Sequence, residues 1–254
     1  MNATSATSAT SRLTFTPGGH IYKLDGHKVP SVTTCLKVLG GCDALIYWAA
    51  NTAADYATDN WDQLAQLPPS QRRDRIAKAH RTQRDKAAAT GTQIHAWAEE
   101  LLAGRPVEIP DHHRDRVQAF ANWWERSGFT EVLTETCVYS TESFDGGTAY
   151  AGTFDCLATH PRWGTTLLDW KTGKGVYLDM AVQLAGYASA EWHQTPDGDR
   201  AKPSIDTLAV VHIPPDGPTL HTLDKEQQDN AHEWWALVRH LNTTPAPAFH
   251  QEAQ

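Results

Sequence analysis

The sequence predicts a mixed α+β (mixed α/β) protein, and three observations carry that expectation. Residues 31–127 are patterned for helices. From Val132 the chain switches to short runs of β-branched and aromatic residues separated by turns. A helical run, Met180–His193, then parts the first three strands from the next. The order β-β-β-α-β fits a single domain over residues 12–242, with a helical part at 31–127 and a sheet-bearing part at 128–242. Tails are expected at 1–11 and 243–254.

Each element has its own local reason. The opening "MNATSATSAT" has neither a charged nor an apolar stretch, so it reads as a disordered tail and not as a secretory signal. "FTPGGHIYKLDGHKVPSVTTCLKVLGG" reads as a short hairpin turned at Asp25-Gly26, then a helix opening near Ser31. Asp43–Thr58 is Ala-rich and helical. Pro68-Pro69 breaks that pattern, and Ser70 is placed to cap the next helix. Gly91 separates that helix from a second, Thr92–Leu102, which Gly104 and Pro106 end. Asp111–Ser127 is a helix with Val117, Phe120 and Trp124 on one stripe. Strands are expected at Val132–Tyr139, Thr148–Ala158, Thr165–Lys171, Ile205–Ile213 and Thr219–Leu223, with a last helix at Asp224–Leu241.

Composition narrows the class. A chain of 254 residues, 40% apolar and 20% charged, can bury a sizeable core. Cys35, Cys42, Cys137 and Cys156 have no zinc or cluster spacing and read as reduced thiols of an intracellular protein. No apolar run approaches the roughly 18 residues of a membrane span. The net charge of −8 argues against an indiscriminate polyanion binder, yet Gln71–Lys86 holds seven Lys or Arg against two Asp. That run is either a solvated helix face or a nucleic-acid footprint. Of the ten tryptophans, most belong to the core; Trp97 and Trp170 are candidates for stacking on bases.

The stretch "TTLLDWKTGKG" carries an apolar run into two charges, Asp169 and Lys171, which share a strand face because side chains alternate. Pairing it with "TAYAGTFDCLAT" through a loop centred on Arg162 sets Asp155 directly opposite Asp169. Opposed like charges repel, and the flanking Phe154, Leu157, Leu167 and Leu168 leave little water to relieve them. Either one carboxyl keeps its proton or a cation sits between them. A hard divalent ion with Lys171 beside it suits phosphodiester hydrolysis by a metal-activated water.

"GTQIHAWAEE", "YAGTFDCLA", "LLDWKTGK" and "QLAGY", in this order, resemble the signature of RecB-type nucleases of the PD-(D/E)XK superfamily. The opening "HIYKLDGHKVPSVT" is similar to phage exonucleases and the mitochondrial genome-maintenance exonuclease within that group. The resemblance spans roughly Gly19 to Tyr187 and implies a restriction-endonuclease-like core. It implies Asp155 and Asp169 as metal-binding carboxylates, Lys171 as catalytic lysine, the Trp170 carbonyl as a further ligand and His95 as a histidine ligand. Glu99 and Glu135 are either second carboxylates near the metal or ordinary surface groups. Gln183 and Tyr187 would lie beside the site on the helix that follows. Arg72, Arg73, Arg75, Lys78, Arg81, Arg84, Thr92, Thr172 and Lys174 would meet the nucleic acid. Phe154 stands where the superfamily usually has proline, and the four-cysteine iron–sulfur arrangement of many members is missing.

The function expected is a Mg²⁺- or Mn²⁺-dependent deoxyribonuclease, an exonuclease acting at DNA ends in recombination or replication, in the cytoplasm of a bacterium or phage-infected cell. Its partners would be DNA with free ends, single-stranded ends included, and a single-strand-annealing or recombination protein, with no membrane involved. Two rivals remain: a non-catalytic nucleic-acid-binding relative, and a glycoside hydrolase using paired carboxylates, which would need neither Lys171 nor a basic helix.

Overall fold

The structure, a computed structural model, describes residues 11–40, 42–141 and 148–243, so nearly all of both expected tails lies outside the described residues. It is of mixed α and β composition. The chain divides into two compact units, one formed by Met1–Leu39 with Ala98–Gln254 and the other by Gly40–Trp97. The expected helical part, 31–127, is thus shared between them.

The first unit opens with a three-stranded antiparallel sheet of β1 (Leu13–Thr16), β2 (Ile21–Leu24) and β3 (His27–Val29). The turn between β2 and β3 falls at Asp25-Gly26, as the sequence predicts, with φ of 48° and 82°. A two-residue turn of this hand needs both residues left-handed, which Gly adopts freely and Asp tolerates. Ser31 caps α1 (Val32–Cys35), its Oγ accepting from the Thr34 amide at 3.0 Å. The helix is one turn long and passes into a tighter 3-10 turn at Leu36–Leu39.

The second unit holds α2 (Cys42–Asp59), α3 (Trp61–Ala65) and most of α4 (Pro69–Leu102). Two expectations are corrected here. Ser70 is not the cap, because the helix already starts at Pro69, whose fixed φ and missing amide suit a first helical position. Gly91 does not break the helix, which runs unbroken to Leu102. A helical Gly costs only about 1 kcal/mol against Ala, and the three alanines before Thr90 are strong helix formers.

The first unit resumes with α5 (Asp111–Ser127), at the expected bounds, buried through Val117 and Phe120 and ended by Gly128 at φ 82°. Then come β4 (Thr130–Ser140), β5 (Tyr150–His160), β6 (Gly164–Lys171), α6 (Leu178–Ala188), β7 (Trp192–Thr195), β8 (Gly198–Ala201), β9 (Thr207–His212), β10 (Thr219–Thr222) and α7 (Lys225–Thr243). Their sheet has the order β10-β9-β6-β5-β4-β7-β8, all antiparallel except β6 with β9. The expected helix Met180–His193 is corrected: it stops at Ala188, and Trp192 and His193 pair with Tyr139 and Val138. That pairing is non-local, and helical spacing within the segment carries no trace of it.

The core lies between the sheet and α1, α6 and α7. Val32, Leu157, Leu167, Val182, Leu184 and Val238 have no exposed surface, and Phe154 and Trp235 have 1% each. At roughly 1.5–3 kcal/mol per large apolar side chain, this burial is what holds β5, β6 and α6 in fixed relation. Among the described residues Cys35, Cys137 and Cys156 are buried thiols outside any disulfide. Among the same residues no helix is long and apolar enough to cross a membrane.

Candidate active site

The β5–β6 hairpin has the register expected from a loop centred on Arg162, with Cys156 opposite Leu168, Leu157 opposite Leu167 and His160 opposite Gly164. One step past Cys156 and Leu168 stand Asp155 and Asp169. The ladder ends there because the Asp155 carboxylate replaces a strand partner: Oδ2 accepts the Trp170 amide at 2.6 Å. Asp169 is 2% exposed, and the Lys171 ammonium lies 2.5 Å from its Oδ2. The two charges of the D-x-K therefore do share a side, and they satisfy one another.

From Lys171 the polar contacts continue onto α6. Nζ donates to Gln183 Oε1 at 3.0 Å, and Gln183 Nε2 donates to the Tyr187 hydroxyl at 2.8 Å. Gln183 and Tyr187 meet because they are one helical turn apart. Tyr187 is seated on Gly152 of β5, where a Cβ would come within 2.5 Å of its ring, so this glycine is required by close approach. Burial, then Asp169, hold the Tyr187 phenol well above its ordinary pKa, and it stays a neutral hydroxyl. Burial works against the Lys171 charge, but Asp169 and Asp155 outweigh it and raise its pKa. At neutral pH Lys171 is an ammonium, a donor and a positive charge but not a base.

Glu135 comes closer to this cluster than its sequence position suggested. One of its carboxylate oxygens lies within 4.8 Å of one of Asp155. Glu135 sits at φ 41°, a left-handed backbone that is costly for a side chain of this kind, in mid-strand. The β4–β5 ladder pairs Thr134 with Cys156 and Thr136 with Phe154 and skips the pair between them, Glu135 and Asp155.

The segment after Lys171 is anchored by residues that the sequence reading did not single out. Arg116, on α5, donates through Nη2 to the Thr172 carbonyl at 3.0 Å and through Nε to the Ile213 carbonyl at 2.8 Å. His212 Nε2 donates to the Gly173 carbonyl at 2.8 Å. Lys174 is left exposed beside them. Trp170 itself is 1% exposed, edge-on to Phe120 and Trp124, so the expectation that it stacks on bases is withdrawn.

Glu99 faces Arg105 at 3.8 Å near the end of α4. His95, Trp97 and Thr92 belong to the second unit, where Thr92 Oγ1 bonds back to the Ala88 carbonyl at 3.1 Å. Arg72 is used structurally: its guanidinium donates to the carbonyls of Leu64, Ala65 and Leu67 and lies over the Trp61 ring. Arg84 bonds Asp85 at 2.8 Å. Arg75 and Lys78 line a cleft of about 670 Å³ together with Asp55, Asp59 and Asp74, so the basic run is partly neutralised by facing carboxylates. Arg73 and Arg81 are both exposed.

No protein-family model matches the chain, and no curated protein does. Among solved structures the chain is similar to "Crystal structure of SSO0001", at 14% identity and a TM-score of 0.27, over 65% of this chain and 90% of that one.

Proposed function

We propose that the protein is a divalent-metal-dependent deoxyribonuclease acting at DNA ends, built on a restriction-endonuclease-like core of β4, β5, β6, α6 and β9. The observation that carries this reading is the hairpin register that brings Asp155 and Asp169 to adjacent positions, with Lys171 bonded to Asp169 and Glu135 within 4.8 Å of Asp155. Carboxylate oxygens at that spacing suit a hard cation. Asp155 and Glu135, with Asp169 and the Trp170 carbonyl, are the groups in this unit that would hold Mg²⁺ or Mn²⁺. The ion, when bound, would neutralise phosphate charge and acidify a water ligand.

The remaining roles belong to the chain. Lys171, an ammonium, donates to the phosphoryl oxygen as negative charge grows on it, the kind of fixed donor whose loss costs a factor of about 10² or more. Gln183 and Tyr187 hold that ammonium in place from one side and Asp169 from the other. Arg116 and His212 fix the backbone of Thr172 and Gly173, so Lys174 is presented beside the site on a tethered loop. In the hydrolysis itself, water attacks phosphorus, one P–O ester bond breaks, and the leaving oxygen takes a proton.

The test is incubation with end-labelled linear DNA and with covalently closed single-stranded circles, with and without Mg²⁺ or Mn²⁺. Short products from linear DNA alone, only with metal and not with Asp169→Asn, are expected. No hydrolysis of either substrate by pure protein with either ion would reject the nuclease. Rapid linearisation of the circle would reject the requirement for an end.

A further inference from the structure

The N-terminal segment is charged oppositely to the rest of the chain. Residues 11–40 carry four Lys or Arg against one carboxylate, Asp25, in a protein of net charge −8. That carboxylate is engaged by Arg12, 2.5 Å away. Two of the remaining cations, Lys28 and Lys37, line a cavity of about 680 Å³ with His20, Thr33 and Thr34, and among the described residues no carboxylate contributes to its walls. The cleft in the second unit, with three aspartates in its walls, is the contrasting case. All five side chains are exposed, which makes the cavity an open groove suited to a polymer more than to an enclosed small molecule.

The groove is tied to the strand that bears Asp155. Ser31 bridges Ala151 of β5, whose amide donates to the Pro30 carbonyl at 3.1 Å. Tyr22 of β2 shares a hydrogen bond with Thr153 at 2.9 Å, two residues before Asp155. Ala151 and Asp155 are four steps apart along β5, roughly 13 Å at about 3.3 Å per step. That is about four nucleotides at the ~3.4 Å spacing of stacked bases.

We propose that this groove binds internal backbone phosphates of a nucleic-acid strand, about four nucleotides from the bond held at Asp155; the proposal rests on the nuclease reading above. Lys28 and Lys37 supply the charge, and the hydroxyls of Thr33 and Thr34 donate to phosphate oxygens, the contacts that position a strand without reading its sequence.

The experiment measures binding of fluorescein-labelled oligothymidylates by anisotropy in EDTA, over a range of KCl concentrations. The probes are about four and about twelve nucleotides long, each with a 5′-phosphate or a 5′-hydroxyl. The parent is expected to bind the longer probe more tightly, whatever its 5′ end. Lys28→Glu/Lys37→Glu should lose that gain, with the slope of log affinity against log salt flattened by about 1.4 for two single-strand phosphate contacts. Lys28→Arg/Lys37→Arg should keep both. An unchanged slope in the Glu double variant overturns the groove, as does a loss confined to 5′-phosphorylated probes, which would mark a terminal-phosphate site. A parent that binds as expected yet cleaves nothing with Mg²⁺ or Mn²⁺ would reject the nuclease reading and leave the groove standing.

Discussion

Trp170 donates its amide proton to Asp155 Oδ2 at 2.6 Å, so one strand of the hairpin fixes the carboxylate carried by the other. This bond changes what removal of Asp155 does. The sequence alone suggests relief of repulsion between opposed aspartates; the structure adds a partly buried amide that would be left without its acceptor, a loss of about 1–3 kcal/mol. Asp155→Ala is therefore expected to lower the urea midpoint and abolish cleavage. Asp155→Asn, which keeps an oxygen acceptor, is expected to retain most of the stability and still lose cleavage. Equal midpoints for Asp155→Ala and the parent would show that the bond contributes nothing.

Lys171 is expected to act by its charge. Lys171→Gln should reduce the cleavage rate by about 10²-fold or more, while calorimetric titration of Mn²⁺ still shows binding. Gln183→Ala should fall between parent and Lys171→Gln, because it frees the ammonium from α6 without removing it. Cleavage at the parent rate by Lys171→Gln would make the D-x-K an ordinary ion pair.

The arginines of α4 divide by what they touch. Arg72→Ala should destabilise the protein, since three carbonyls at the end of α3 lose their donor. Arg73→Glu with Arg81→Glu should leave the melting temperature near that of the parent. The same pair should flatten the salt dependence of DNA binding by about 0.7 for each phosphate no longer neutralised. Thermal melts and binding isotherms on the same preparations separate the two effects, and a flat slope in Arg72→Ala with an unchanged melt would reverse the assignment.

Burial lowers the Lys202 pKa to about 8 from an ordinary value of 10.5. Between those values the unfolded chain holds the proton and the folded chain releases it, so this residue makes stability rise with pH across the window. Below about 8 both forms are protonated, and the cost of burying the charge is fully present. Lys202→Met should be more stable than the parent at pH 7, with the difference shrinking as the pH is raised through 8 toward 10. Denaturant midpoints at several pH values decide it; a difference independent of pH would mean that Lys202 titrates normally.

What was legible in the sequence was local. The Asp25-Gly26 turn, the bounds of α5 and the register of β5 on β6 all follow from short-range rules of turn chemistry and periodicity, and each holds in the structure. Gln183 and Tyr187 were readable as a pair because one helical turn separates them. Arg116 was not, since its bonds join α5 to carbonyls beyond β6 and β9, far away along the chain. The β7–β8 hairpin was lost for the same reason: its reason for being strand is the edge of β4. Gly91 misled in the other direction, as a weak local preference overruled by the helix around it.

Glu135 has a cost that stays with the chain. A left-handed backbone at a residue with a full side chain costs about 1–2 kcal/mol, and the ladder gives up a pair at the same point. Substitution by Asn, which tolerates that conformation, would make β4 easier to fold and remove a carboxylate from beside Asp155. Fold stability and the acidity of the cluster therefore pull this position in opposite directions. A library of variants sorted for thermal resistance alone would be expected to discard the glutamate, and one sorted for the chemistry of the cluster to retain it.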